Sequence, residues 1–304
     1  MVKIFVASLY ALSKDIAFKV GLRTDYSELF KTFDVAPRLS LAYKTSKSSQ
    51  LSLAYGNFYQ NPSSDILKFN QDLRAQNTSH YILNYQYNAD RKIFRAEAYY
   101  KDYKNLVKYD TEFAQYDSNY NSSGYGFAQG IDLFWRDSKS LKNIDYWMSY
   151  SLLDTKRDYR NYPSEAQPNF ANTHNLSIVG KYWINDWRSQ VGFSYAFASG
   201  RTYTDPNTTG FLNQKTKPYN SLSINWAYLI SPQKILYASV NNVLGFKNIN
   251  GYQYANTANG NGVFESRALQ PAADQFFFVG FFFFLKRSIP IKNTSSAFNS
   301  KSRF

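Results

Sequence analysis

Short and long connections follow one another in alternation along this chain, and that rhythm limits the folds open to it. Short connections are expected at Ser13-Lys14, Thr45 to Lys47, Ala89-Asp90, Asp137 to Lys142, Asn185 and Ser231-Pro232, where Ser, Asn, Asp and Pro supply turn chemistry. Long ones span 27–37, 59–77, 104–122, 155–173, 199–218 and 246–273. Loops of 11 to 28 residues at every second connection are foreign to a compact soluble domain. The chain therefore has two unlike ends, one of tight turns and one of long loops.

Between the connections the sequence has a period of two. In Arg188 to Ala198, Val191, Phe193, Tyr195 and Phe197 share one face, while Gln190, Gly192, Ser194 and Ala196 share the other. Tyr81, Leu83, Tyr85 and Tyr87 oppose His80, Asn84 and Gln86 in the same way, and Leu222, Ile224, Trp226 and Tyr228 oppose Ser221, Ser223 and Asn225. Thirteen strands are predicted, near 3–11, 15–26, 38–45, 48–58, 78–88, 91–103, 123–136, 143–154, 174–184, 186–198, 219–229, 233–245 and 274–286. The strand from Gln233 mixes its faces around Ser239 to Asn242, and Phe276 to Phe284 is aromatic on both. A polar face built from Gly, Ala, Ser and isolated charges suits the lumen of a barrel better than the water-facing side of a sandwich. The expected fold is all-β: an antiparallel meander of 13 transmembrane strands forming part of an outer-membrane β-barrel, with short periplasmic turns and long extracellular loops.

Composition narrows the alternatives. Mean hydropathy is -0.49 and no run reaches the roughly 18 to 20 apolar residues of a membrane helix. Aromatics are 19% of the chain, with 27 Tyr and 25 Phe, a usage that suits membrane-interface girdles. There is no Cys and only His80 and His174 offer imidazole, so a disulfide framework or zinc site is not expected, and no cofactor is. The net charge of +13 is scattered singly rather than gathered in a stripe, which argues against nucleic acid as a partner.

The stretches APRLSLAYKTSKSSQLSLAYGNFYQNP (36–62), NFANTHNLSIVGKYWINDWRSQVGFSYAFASGRTYT (169–204) and ILYASVNNVLGFKNINGYQY (235–254) carry a family likeness. From about residue 4 to residue 284 the chain resembles the C-terminal barrel portion of TonB-dependent outer-membrane receptors of the Bacteroidetes type. The resemblance implies a 22-stranded barrel plugged by an N-terminal domain, nutrient ligand caught by extracellular loops, and release driven by the TonB complex acting on the plug. Neither plug nor TonB box is found in these residues.

Two expectations about the ends follow. An odd strand count with an extracellular start implies further strands before residue 1, because a complete bacterial barrel has an even count and periplasmic termini. The expected domain is a partial barrel over 1–286, open at its edges, followed by a basic, disordered tail over 287–304 that departs from the family pattern. The alternative takes Lys3 and the apolar run Ile4 to Leu12 as a signal peptide, leaving a complete 12-strand barrel that acts as a passive pore or adhesin.

No enzyme constellation is predicted. His80 belongs to a lumenal row and His174 opens a strand, with no nucleophile motif beside either. Asp102 with Asp110, and Glu112 with Asp117, solvate a loop, and Asp65, Asn70 and Asp72 lack the order of a calcium loop. The loop aromatics Tyr109, Tyr116, Tyr159, Tyr162, Tyr203 and Tyr252, with Arg201, are the weak candidates for ligand contact, set against a plain role in loop packing. The partners expected are outer-membrane lipid, an extracellular nutrient, and the TonB complex through a plug.

Overall fold

A computed structural model describes residues 2–285. Chain order runs β1 (Val2–Ala11), β2 (Ile16–Ser27), β3 (Thr32–Lys44), β4 (Ser49–Gln60), β5 (Gln76–Ala89), β6 (Lys92–Lys108), β7 (Asn121–Asp137), β8 (Ile144–Asp158), β9 (His174–Ile184), β10 (Ser189–Ala198), β11 (Thr202–Tyr203), β12 (Gln214–Lys215), β13 (Tyr219–Ser231), β14 (Lys234–Asn241), β15 (Gly251–Tyr254), β16 (Ser266–Leu269) and β17 (Phe276–Phe283). β11–β12 and β15–β16 are small hairpins within loops. The rest form one 13-stranded antiparallel sheet in which each strand pairs with the next, as predicted. Among the described residues no pairing joins β1 to β17, so both are open edges.

The register carries the geometry of a barrel. One hydrogen-bonded row runs Lys44, Gln50, Gln86, Arg95, Phe134, Ser149, Ser177, Ala196, Ser221. Lys44 ends β3, but Ser221 lies ten residues short of Ser231, the end of β13. Ten residues of stagger over eight strand steps, at about 3.3 Å per residue and about 4.8 Å per step, correspond to a strand tilt of about 40°. That is the tilt of a membrane barrel wall.

Following the same pairings separates two faces. One carries Lys19, Arg38, His80, Lys101, Ser151, Asn175 and Asn225 among small residues. The other carries Leu39, Leu53, Leu83, Ile131, Phe193 and Ile224, all exposed and without a second layer over them. Aromatic rows cross this apolar face on β4 to β7. Tyr55, Tyr81, Tyr100 and Phe127 form one, with ring centroids 5.1, 6.3 and 6.5 Å apart. Tyr85, Phe94 and Trp135 form the other, nearer the turns, at 6.2 and 6.3 Å. An exposed apolar face crossed by aromatic rows is what the lipid side of a membrane barrel wall presents.

Several boundaries differ from the sequence reading. The connection expected over 27–37 is a tight turn, because β3 begins at Thr32 and pairs with β2 from Ser27↔Thr32 onward. Pro37 is tolerated there since β3 pairs with β4 only from Arg38, so the missing N–H lies where one side of the strand is already free. β14 stops at Asn241, four residues early, because Asn242 turns the chain at φ 50 and its amide binds Phe246 and Asp274 carbonyls. The segment read alternatively as a signal peptide is β1, paired with β2 along its whole length. Lys286 of the last predicted strand and the tail 287–304 lie outside the described residues.

Candidate extracellular ligand site

Few side chains in this wall are well buried, and the apolar cluster among them sits at the loop end rather than in the sheet. Leu106 from the top of β6 meets Tyr159 and Tyr162 from the β8–β9 loop, with Tyr103, Ala166, Phe211 and Leu212 around them. The rings of Tyr159 and Tyr162 lie edge to face at 4.8 Å, and Tyr162 meets Phe211 at 4.7 Å. Backbone bonds fasten the two loops, from Tyr109 N–H to Arg160 O at 3.0 Å and from Arg160 N–H to Val107 O at 2.7 Å. Lys108 forms an ion pair with Asp158 and also donates to Tyr162 O.

The β10–β13 loop joins this base, and the β14–β17 loop packs against that loop. Thr202 Oγ1 donates to Gln167 O at 2.9 Å, and Arg201 Nε donates to Asn172 Oδ1 at 3.3 Å. Tyr203 and Tyr252 bring the two loop hairpins together with ring centroids 4.8 Å apart. Asn207 and Phe264 exchange hydrogen bonds, Nδ2 to O at 3.0 Å and N–H to Oδ1 at 2.7 Å. Burial pushes the Tyr254 phenol up to about 12, with Tyr203 and the Asp205 carboxylate adding to the effect. Burial likewise raises the Tyr162 phenol.

The residues singled out in the sequence thus divide. Tyr159 and Tyr162 are 8% and 9% exposed and serve as packing for the loop base. Tyr109 is half-buried against Tyr120 at 5.9 Å, and Tyr116, 86% exposed, projects into solvent. Tyr203 and Tyr252 meet on neighbouring loops, whereas Arg201 reaches the other way, to Asn172 of the β8–β9 loop. His80 lies in the lumenal row, its ring 4.4 Å from Phe58, and His174 opens β9 with Nδ1 2.8 Å from Tyr150 Oη. Asp102 pairs with Lys104 at 3.2 Å and Asp65 with Lys68 at 3.6 Å. Among the described residues no set of three His, Cys, Asp or Glu side chains is arranged to hold a metal ion.

Arg157, outside the residues the sequence points to, stands on the lumenal face near the loop end of β8. Its guanidinium lies 4.3 Å from the Tyr103 ring centroid and 5.3 Å from that of Phe170, and its buried Nε has no hydrogen-bond partner. Gly126 makes this possible: a Cβ there would stand 2.5 Å from the Lys156 carbonyl and 2.9 Å from Arg157 Cα. Lower on the same face, Arg38 repeats the arrangement, with Phe58 at 4.5 Å and Phe5 at 5.8 Å. Cations held over aromatic faces line this wall toward the loops.

A model of the family described as TonB dependent receptor-like, beta-barrel, matches residues 2–243. No curated protein matches by sequence. Among solved structures, the outer membrane transporter YddB from Escherichia coli aligns with TM-score 0.71 at 13% identity over 92% of this chain and 44% of its own. The siderophore receptor PiuA from Acinetobacter baumannii aligns with TM-score 0.69 at 11% identity, over 92% and 42%. The ferric enterobactin receptor PfeA of Pseudomonas aeruginosa, as a G324V mutant, aligns with TM-score 0.67 at 12% identity, over 93% and 44%. This chain therefore spans less than half the length of these structures, and at such identities the likeness is one of fold. With 13 tilted, staggered strands, an apolar outer belt and a family match over most of its length, the chain belongs to the TonB-dependent receptor-like β-barrel family.

Proposed function

We propose that the chain supplies wall and extracellular loops to an outer-membrane receptor that takes up a scarce nutrient, of the ferric siderophore class that the structural neighbours' names carry. Its role is binding and passage, not catalysis. The observation that carries this reading is the loop base around Leu106, Tyr159 and Tyr162, which holds the loops together over the lumenal mouth where Arg157 and Tyr103 stand. A fixed mouth lined by aromatics and cations can hold an anionic, aromatic ligand with little ordering cost on binding.

The open edges β1 and β17 support the further reading that these residues work within a longer polypeptide. Unpaired strand edges in lipid cost several kcal/mol per unsatisfied group. Further strands would close the wall, and a plug within it would couple uptake to the TonB complex.

Uptake of labelled ferric siderophores by cells carrying the whole polypeptide tests this. Accumulation that stops with an uncoupler of the inner-membrane proton gradient, and with deletion of residues 205–213 from the β10–β13 loop, is expected. Surface binding that an uncoupler leaves unchanged, with no accumulation, would instead make this an adhesive or passive barrel.

A further inference from the structure

The two ends of the wall differ in charge. The six short connections, with the strand residues that bound them, hold nine Lys or Arg against four carboxylates. The six loop connections, counted the same way over far more residues, hold ten against eleven. Every short turn has at least one cation: Lys14, Lys47, Arg91, Lys142, Arg188 and Lys234 represent them in order, and each is exposed. Two of the four carboxylates are already engaged, Asp137 with Lys92 at 3.5 Å and Asp90 with Lys139 at 3.0 Å. The turns need only small and polar residues for their geometry, so the backbone does not require this excess.

Tryptophan is distributed with the same bias. Trp135, two residues from the end of β7, and Trp226, in the half of β13 nearer its turn, lie on the apolar outer face, and Trp187 lies in the β9–β10 turn; Trp147 and Trp183 also lie near the turn end but on the lumenal face, where Arg136 and Lys181 stand over the Trp147 ring. Trp187 is 66% exposed and adjoins Arg188. Indole prefers the headgroup level of a bilayer, and cations just beyond such a belt sit at the depth of lipid phosphates.

From this we infer that the periplasmic rim is a docking surface for anionic phospholipid, recognising phosphodiester headgroups of the inner leaflet through its ring of turn cations. The inference rests on the proposed placement of the wall in the outer membrane. Charge complementarity and continuity with the aromatic row nearer the turns select this occupant. An anionic leaflet draws basic segments at its surface, within a distance set by salt screening. The near-neutral loops offer the opposite leaflet no such attraction.

The test uses the whole polypeptide reconstituted in phosphatidylcholine vesicles that contain a minor fraction of either brominated phosphatidylglycerol or brominated phosphatidylcholine. The quenching assigned to Trp187, as the part removed by W187F, is compared between the two. Brominated phosphatidylglycerol is expected to quench about twofold more or better, with the excess lost in high salt and in K47Q/R91Q/K142Q/R188Q. Equal quenching by both lipids in the parent protein overturns the inference while leaving the barrel reading intact. Absence of quenching by either removes Trp187 from the interface and overturns the membrane placement as well.

Discussion

The guanidinium of Arg157 on β8 stands 4.3 Å from the ring of Tyr103 on β6, two strands that are not neighbours. Between them β7 contributes only Gly126, paired with Tyr103 on one side and Arg157 on the other. The contact spans a residue without a side chain, and it ties the two strand tops that carry the loops.

A double-mutant cycle on this pair should give a coupling of about 1–2 kcal/mol, the range of a partly desolvated cation–aromatic contact. Arg157→Met and Tyr103→Leu each destabilise, and the double mutant costs less than their sum. Urea unfolding in detergent micelles reads the cycle. Additive effects would mean that the two side chains act independently.

Leu106→Ala removes the centre of the loop base and should cost about 2–5 kcal/mol locally. Because the damage lies above the membrane band, the β8–β9 and β10–β13 loops become sensitive to added protease while the strands stay protected. Limited proteolysis with mass mapping distinguishes this from general unfolding, in which strand peptides would be cut as well.

How far the sequence could be read follows from which residues obey the period of two. Leu83 and Asn84, or Phe193 and Ser194, fall on opposite faces by simple alternation, and the sheet places them so. Leu106 escaped because the pairing of β6 with β7 slips between Tyr103 and Leu106, where Asn105 takes a φ of 57. A bulge shifts the parity of all that follows, so alternation loses its meaning there. The hairpins β11–β12 and β15–β16 carry too few residues for any periodic signal, and Tyr203 meets Tyr252 only through loop docking. The open edges were legible from strand count and connection lengths; the cation–aromatic contact over Gly126 required the register.

Asp110 gives a pH dependence with a defined sign. The side-chain amide and the backbone N–H of Asn119 both donate to its carboxylate, at 2.5 and 2.9 Å, and hold its pKa below the ordinary carboxylate range. Because the folded value is depressed, the stabilisation is complete above the unfolded value of roughly 3.9 and is lost as pH falls through the folded value. Hydrogen exchange at the Asn119 amide, corrected for the intrinsic pH effect, should lose protection only on strong acidification. In Asp110→Asn that acid step should vanish. An acid step that survives in the variant would place its origin in another group.

The central claim is that the Leu83 face meets lipid and the Asn84 face meets an aqueous lumen. Spin labels placed one at a time at residues 81 to 87 of the whole polypeptide in bilayers, a stretch of a chain without native Cys, test it directly. Collision with molecular oxygen should peak at positions 81, 83, 85 and 87, and collision with a water-soluble nickel complex at 82, 84 and 86. If the odd positions are closed to both reagents while the even ones stay open to nickel, the apolar face is packed inside a soluble core and the account is wrong.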